Sequence, residues 1–239
     1  MTLKKYQEKR RFEVTPEPAG KDNARERKAS TLVFAVQKHR ATQLHYDFRL
    51  EWGGVLLSWA VPKGPSLDPS VKRLAMQVED HPVEYAGFEG VIPEGEYGGG
   101  TVMVWDQGTW EPEQPDVDAA LAKGDLKFTL HAKKLQGSWV LVRTRGFGGS
   151  KSSWLLIKHR DQYASTADIA AEEPLSAASG RSLAQIARDE GGDVEKAATG
   201  DPPQKNGEQG AARGKKTAQT VRRPPKPRKS ASTPSAKTR

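Results

Sequence analysis

Apolar and polar positions alternate along this chain over short distances. From Thr31 onward, brief runs rich in Val, Leu, Phe and Trp are cut by Gly, Pro, Asp or Lys. The pattern predicts eight strands: Thr31–Lys38, His45–Trp52, Val55–Val61, Arg73–Val78, Thr101–Gln107, Leu126–His131, Ser138–Thr144 and Trp154–Lys158. Glycine- and proline-marked turns separate them at Trp52–Gly54, Pro62–Pro65 and Pro93–Gly100. In this stretch only Asp116–Lys123, with Val117, Ala120 and Leu121 on one side, reads as a helix. Eight strands at this spacing predict a mainly β fold, an antiparallel barrel or sandwich with short flanking helices.

The two ends have a different texture. Residues 1–30 are polar and interrupted by Pro16 and Pro18, and read as an extended N-terminal arm. From residue 165 the chain is rich in Ala, Ser, Glu and Gly, then in Lys, Pro and Arg. Such a segment has too little apolar area to offset its ordering entropy, so 165–239 reads as a disordered tail, with a weak Ala-rich helix at 184–198. The last aromatic residue is Tyr163, which places the folded barrel at 31–164.

Charge follows the same division. The net charge is +8, but the last 39 residues alone carry 11 Lys/Arg against 2 Asp/Glu, so the remainder is close to neutral. Any anion binding by the barrel must then come from a local cluster rather than from the bulk field. The chain has no cysteine, which excludes disulfides and thiolate metal sites and fits a reducing compartment. The charged N-terminus lacks a signal-peptide pattern, and no run approaches the roughly 18 apolar residues of a membrane span. The expectation is a soluble cytoplasmic protein.

The candidate chemistry lies in Gln37–Glu51. A strand over His45–Glu51 puts His45, Asp47, Arg49 and Glu51 on one face and Tyr46, Phe48 and Leu50 on the other. A polar outer face alone would be ordinary, but the residue types are not. His45 and Asp47, roughly 6–7 Å apart along the strand, suit two ligands of one ion, and His39 can return across a turn as a third. Two imidazoles and a carboxylate favour Mn²⁺, Fe²⁺, Co²⁺ or Zn²⁺ over Mg²⁺ or Ca²⁺. Arg49 is the side chain for bidentate contact with phosphate oxygens. His81, at a strand end beside Pro82, can serve as a phosphate donor or general acid. His131 and His159 read as surface histidines, and Trp59, Trp105, Trp110, Trp139 and Trp154 as core.

The blocks Gln37–Glu51, Leu57–Pro69, Val78–Pro82, Phe88–Gly98 and Trp154–Arg160, in that order, resemble the 3′-phosphoesterase domain family of bacterial DNA ligase D, including its stand-alone members. The likeness runs from about Tyr6 to Ala164. It implies a compact β-barrel with a crescent-shaped groove and a Mn²⁺-dependent activity, with Co²⁺ or another divalent transition metal as a substitute. Such an enzyme removes a 3′-terminal ribonucleoside, then the 3′-phosphate, leaving a 3′-OH for end joining. By the same likeness His39, His45 and Asp47 would hold the metal. Arg49 and His81 would bind the scissile phosphate with Tyr85 assisting, and Gln37, Lys63, Arg73, Arg10 and Glu17 would support them. Arg11 stands where the family has an acidic residue, which puts the nucleoside-removing step in question.

The implied partners are DNA or RNA–DNA primer-template 3′ ends, a separate ligase or polymerase and an end-binding repair protein, with no membrane. The implied location is the nucleoid, and the basic tail is expected to tether the protein to DNA. Two other readings use the same residues. One is a catalytically silent DNA-end-binding module. The other is a non-haem iron oxygenase built on His45, Asp47 and His131.

Overall fold

The computed structural model describes residues 2–20, 31–144 and 152–203. Eight strands close an antiparallel barrel: β1 (Leu32–Arg40), β2 (Leu44–Trp52), β3 (Val55–Val61), β4 (Arg73–Gln77), β7 (Gly100–Pro112), β8 (Asp125–Ala132), β9 (Gln136–Arg143) and β10 (Ser153–Lys158). Their order around the ring is β1-β2-β3-β4-β10-β9-β8-β7, and β7 pairs back onto β1. Each of the eight expected strands is therefore one stave of the barrel. Two short strands were not foreseen: β5 (His81–Pro82) adds to β3, and β6 (Gly90–Ile92) adds to β7. Both are too short to carry an alternation signal.

Closure follows from the alternating side chains. The inward positions of β1 and β2, including Phe34, Val36, Phe48 and Leu50, are fully buried, and so are the five tryptophans expected in the core. Phe34, Phe48, Phe128 and Trp110 form a chain of ring contacts 5.2–6.1 Å between centroids. The outward positions of the same two strands carry Gln37, His39, Asp47 and Arg49, and the site is built there, on the barrel wall. The helix α2 (Val117–Lys123) follows its expected position, capped by the Asp116 side chain and ended at Gly124 in the left-handed region.

Both ends of the folded unit differ from expectation. The N-terminal arm is not simply extended: α1 (Lys4–Glu8) opens it, and Leu3, Tyr6, Thr15 and Glu17 are buried. Polar composition concealed this, because the arm is held largely by hydrogen bonds and ion pairs.

Residues 165–203, expected within a disordered tail, carry α3 (Ile169–Glu172), α4 (Leu183–Asp189) and α5 (Val194–Ala198). They belong to the same compact unit as the barrel. Leu183, Ile186, Ala187 and Ala197 join the main core cluster. Trp105 Nε1 donates to the Glu173 carbonyl at 2.8 Å, and Arg181 pairs with Glu89 at 3.1 Å. Burial of small residues, with a Ser182/Gln185 capping box, does what the missing aromatics would have done. The remaining tail, 204–239, and its expected role in tethering DNA lie outside the described residues. Among the described residues no helix is long and apolar enough to cross a membrane.

Candidate active site

The β1–β2 hairpin brings the metal-ligand candidates together. Its turn is only Ala41–Gln43, so β1 continues through His39 and pairs it directly with His45, while Gln37 faces Asp47. His39 thus sits on the strand itself rather than returning across a turn. The nearest ring nitrogens of the two histidines lie 3.6 Å (His39 Nδ1) and 3.7 Å (His45 Nε2) from Asp47 Oδ2. One ligand atom from each of the three residues falls within 4.8 Å of the others.

The remaining nitrogens are tied to backbone carbonyls. His39 Nε2 donates to Gly98 at 2.8 Å and His45 Nδ1 to Gln43 at 3.1 Å. These bonds fix both tautomers and leave one lone pair on each ring facing the carboxylate. This is how a protein orients imidazoles for a metal. Burial alone would raise the Asp47 pKa, but Arg49, with His39 and His45, more than offsets it and holds the carboxyl well below its usual range. Burial lowers the His45 pKa, against the pull of Asp47. An ionised carboxylate and a neutral imidazole are the forms a cation needs. The donor set therefore fits a divalent transition metal.

Arg49 adjoins this cluster, its Nη2 3.3 Å from Asp47 Oδ2. It is almost wholly buried and held from two sides. Nε donates to Gln37 Oε1 at 2.7 Å, and Nη1 donates to Ser58 Oγ at 2.7 Å. Gln37 is itself anchored by donating to the Tyr85 and Phe88 carbonyls. Ser58 faces Arg49 across β2–β3, and its hydroxyl donates to the Leu56 carbonyl.

β5 pairs His81 with Leu56, which delivers the imidazole to the same wall. His81 Nδ1 donates to the Glu79 carbonyl at 2.9 Å, so Nε2 is the acceptor, and it receives Arg10 Nη2 at 3.2 Å. Burial, then Arg49 and Arg10, push the His81 pKa well below the ordinary value. Arg10 is braced by Glu17 at 2.8 Å, and Glu17 also accepts the Tyr85 hydroxyl at 2.9 Å. Burial, reinforced by Glu17, keeps that phenol protonated.

Arg10, His39, His45, Asp47, Arg49, His81 and Tyr85 all line one cleft of about 220 Å³, floored in part by Ala60 and bordered by Glu79, Tyr97 and Gly98. A larger groove of about 610 Å³ lies between β6 and the α4–α5 turn. Among the described residues that line it there is no candidate metal cluster.

Two expected supporters lie elsewhere. Lys63 is exposed in the turn after β3, and Arg73 opens β4 with its Nε buried and unpartnered. Neither lines the cleft. Asp47 faces Ala60, which faces Met76; Arg73 is three residues from Met76 and so points to the opposite side, with core residue Ala75. Arg11 makes a surface ion pair with Glu96 instead of entering the cleft. His131 is exposed beside Glu111 on β8, so the iron-oxygenase triad is not assembled.

Sequence reasoning missed Ser58, Glu79, Tyr97 and Gly98. The signals were weak: Ser58 is found only through its register with Arg49, and Gly98 acts through its carbonyl.

The closed β-barrel carries two tethered imidazoles, a carboxylate and a braced arginine on its outer wall, a candidate metal site beside a candidate anion site. The chain belongs to the DNA ligase D 3′-phosphoesterase domain family, whose family model matches residues 37–143. It is 53% identical over 186 residues to the multifunctional non-homologous end joining protein LigD of Pseudomonas aeruginosa, covering 76% of this chain and 22% of that protein. It is 42% identical over 160 residues to the LigD of Mycobacterium tuberculosis, and 39% over 165 residues to that of Mycolicibacterium smegmatis. In both, the aligned part covers 67% of this chain and about a fifth of the relative. The chain thus spans about a fifth of the length of these relatives.

Proposed function

We propose that this protein is a divalent-metal-dependent phosphoesterase that heals DNA 3′ ends for non-homologous end joining. It would remove a 3′-terminal ribonucleoside, a 3′-phosphate or both, and leave a 3′-OH. The observation that carries the reading is the convergence of His39, His45 and Asp47 with Arg49 and His81 in one cleft. Family membership supplies the substrate class.

His39 Nδ1, His45 Nε2 and Asp47 would hold the ion; the mixed nitrogen and oxygen donors suit a divalent transition metal, and the family resemblance implies Mn²⁺. When bound, such an ion polarises the P–O bond and offsets developing charge. The chain's own residues do the rest. Arg49, immobilised by Gln37 and Ser58, offers a fixed guanidinium edge to a phosphate oxygen, so little ordering entropy is lost on binding. His81 is neutral before substrate arrives because burial and two guanidinium groups disfavour its proton. An arriving phosphate dianion supplies the negative charge that reverses this balance. Nε2 can then carry a proton to a phosphate oxygen or to the departing group. Arg10 would turn from His81 towards the anion, with Glu17 as its pivot. Tyr85 stays a hydroxyl donor.

The test is a labelled primer-template ending in one ribonucleotide, and a second ending in a 3′-phosphate, each incubated with Mn²⁺ and with His45→Ala as control. Stepwise formation of 3′-phosphate and then 3′-OH, lost in the variant, supports the reading. DNA binding without turnover of either end would replace it with a silent end-binding module.

A further inference from the structure

We propose that Tyr97 is a stacking platform for a nucleobase flanking the scissile phosphate, an inference that rests on the nucleic-acid reading above. Among the described residues five large hydrophobic side chains are exposed, and of these only Tyr97, at 49%, lines the cleft of the metal-ligand cluster. The ring is left half in water, and no other aromatic ring of the described residues packs against it.

Its backbone, by contrast, is held firmly. Glu96 N donates to the Pro93 carbonyl at 3.2 Å and Gly99 N to the Glu96 carbonyl at 3.0 Å. The next residue, Gly98, accepts the bond that orients His39. The backbone that carries the ring is therefore fixed one residue away from a contact to a metal-ligand candidate, beside the cleft that would take the phosphate.

The neighbours of the ring are cationic. Lys9 Nζ lies 4.3 Å from the ring centroid and 3.1 Å from the hydroxyl, and Arg10 Cζ lies 5.6 Å from the centroid. Cations beside a ring polarise it and attract the strand's phosphates, while its open surface can take any base, because every base has a π-face. The arrangement predicts tight but sequence-tolerant end recognition. Anchoring of Lys9 uses both the hydroxyl and the ring face; only stacking also quenches a neighbouring base, and it does not need the hydroxyl.

The experiment places 2-aminopurine on either side of the scissile phosphate of a primer-template. It compares wild type, Tyr97→Phe and Tyr97→Leu, as full chains in metal-free, low-salt buffer where no hydrolysis occurs. The proposal expects quenching at one of the two positions in wild type and Tyr97→Phe, and its loss in Tyr97→Leu. The position that responds identifies the base as that of the leaving nucleoside or of the retained strand end. With Mn²⁺ added, KM for that substrate should rise on the order of tenfold in Tyr97→Leu with kcat nearly kept, and Tyr97→Phe should match wild type. Equal quenching in all three proteins, no quenching in any, or a Tyr97→Phe defect as large as that of Tyr97→Leu overturns it. Failure of the phosphoesterase reading would show separately, as no hydrolysis by the wild type.

Discussion

Nη2 of Arg10 lies 3.2 Å from Nε2 of His81, so the N-terminal arm donates to the one ring nitrogen of His81 that the Glu79 carbonyl does not occupy. The arm is thereby part of the cleft. Glu17 holds Arg10 at one carboxylate oxygen and takes the Tyr85 hydroxyl at the same atom, so two groups of the cleft share a single buried anion.

This arrangement gives stability a pH dependence. His81 in the folded protein has its pKa well below the ordinary 6.5, through burial first and then Arg49 and Arg10. Below that value the unfolded chain takes up a proton the folded chain resists. The contribution is therefore fully present above about pH 6.5 and is lost as pH falls. In urea titrations of the metal-free protein, the midpoint should be flat near pH 7 and decline by pH 5.5. His81→Asn should flatten much of that decline, leaving the slope of the same sign that His45 adds.

Ser58→Ala should leave Arg49 Nη1 without its acceptor in a fully buried place. The cost should be about 1.5–3 kcal/mol, as for other buried bonds to charged groups. Denaturant unfolding measures it. Inhibition by inorganic phosphate should weaken in the same variant, because the guanidinium is no longer fixed.

Gly98→Ala tests the carbonyl that orients His39. Gly98 has φ +80°, so a Cβ there is strained by about 1–2 kcal/mol, although the nearest atom it meets, His39 Cε1, is an ordinary 3.6 Å away. The backbone should relax and withdraw the carbonyl. Calorimetric titration with Mn²⁺ should show affinity falling on the order of 10–100-fold, the usual loss when a supporting hydrogen bond to a ligand is removed.

Leu183→Ala tests whether residues beyond 164 belong to the fold. The side chain is fully buried in the main core cluster, and its truncation should cost about 2–5 kcal/mol. An unchanged unfolding midpoint would mean that α4 packs only loosely on the barrel.

The barrel staves were legible because each obeys a period of two: Phe48 and Leu50 turn inward while Asp47 and Arg49 turn outward. The same alternation displayed most of the site. His39 needed one more fact, the length of the hairpin turn, which decides whether it lies on the strand. Ser58 was hidden because its function depends on cross-strand register with Arg49, a relation between distant positions. The resemblance carried Lys63 and Arg73 into the site, but β4 turns Arg73 away from it. Helices α4 and α5 fall where a weak Ala-rich helix was expected at 184–198, but their packing onto the barrel was hidden by composition, since the anchoring side chains are few and partly small.

All residues lining the cleft fall between Arg10 and Gly98. Strands β8, β9 and β10 contribute none, yet they complete the ring that holds β1 and β2 in place. The candidate cleft therefore occupies one wall of the barrel and leaves these three strands clear of it. Because the chain lacks cysteine, a single Lys127→Cys change on exposed β8 would give one thiol for a dye or surface linker. Such a handle would let individual molecules be immobilised with the cleft left facing solution.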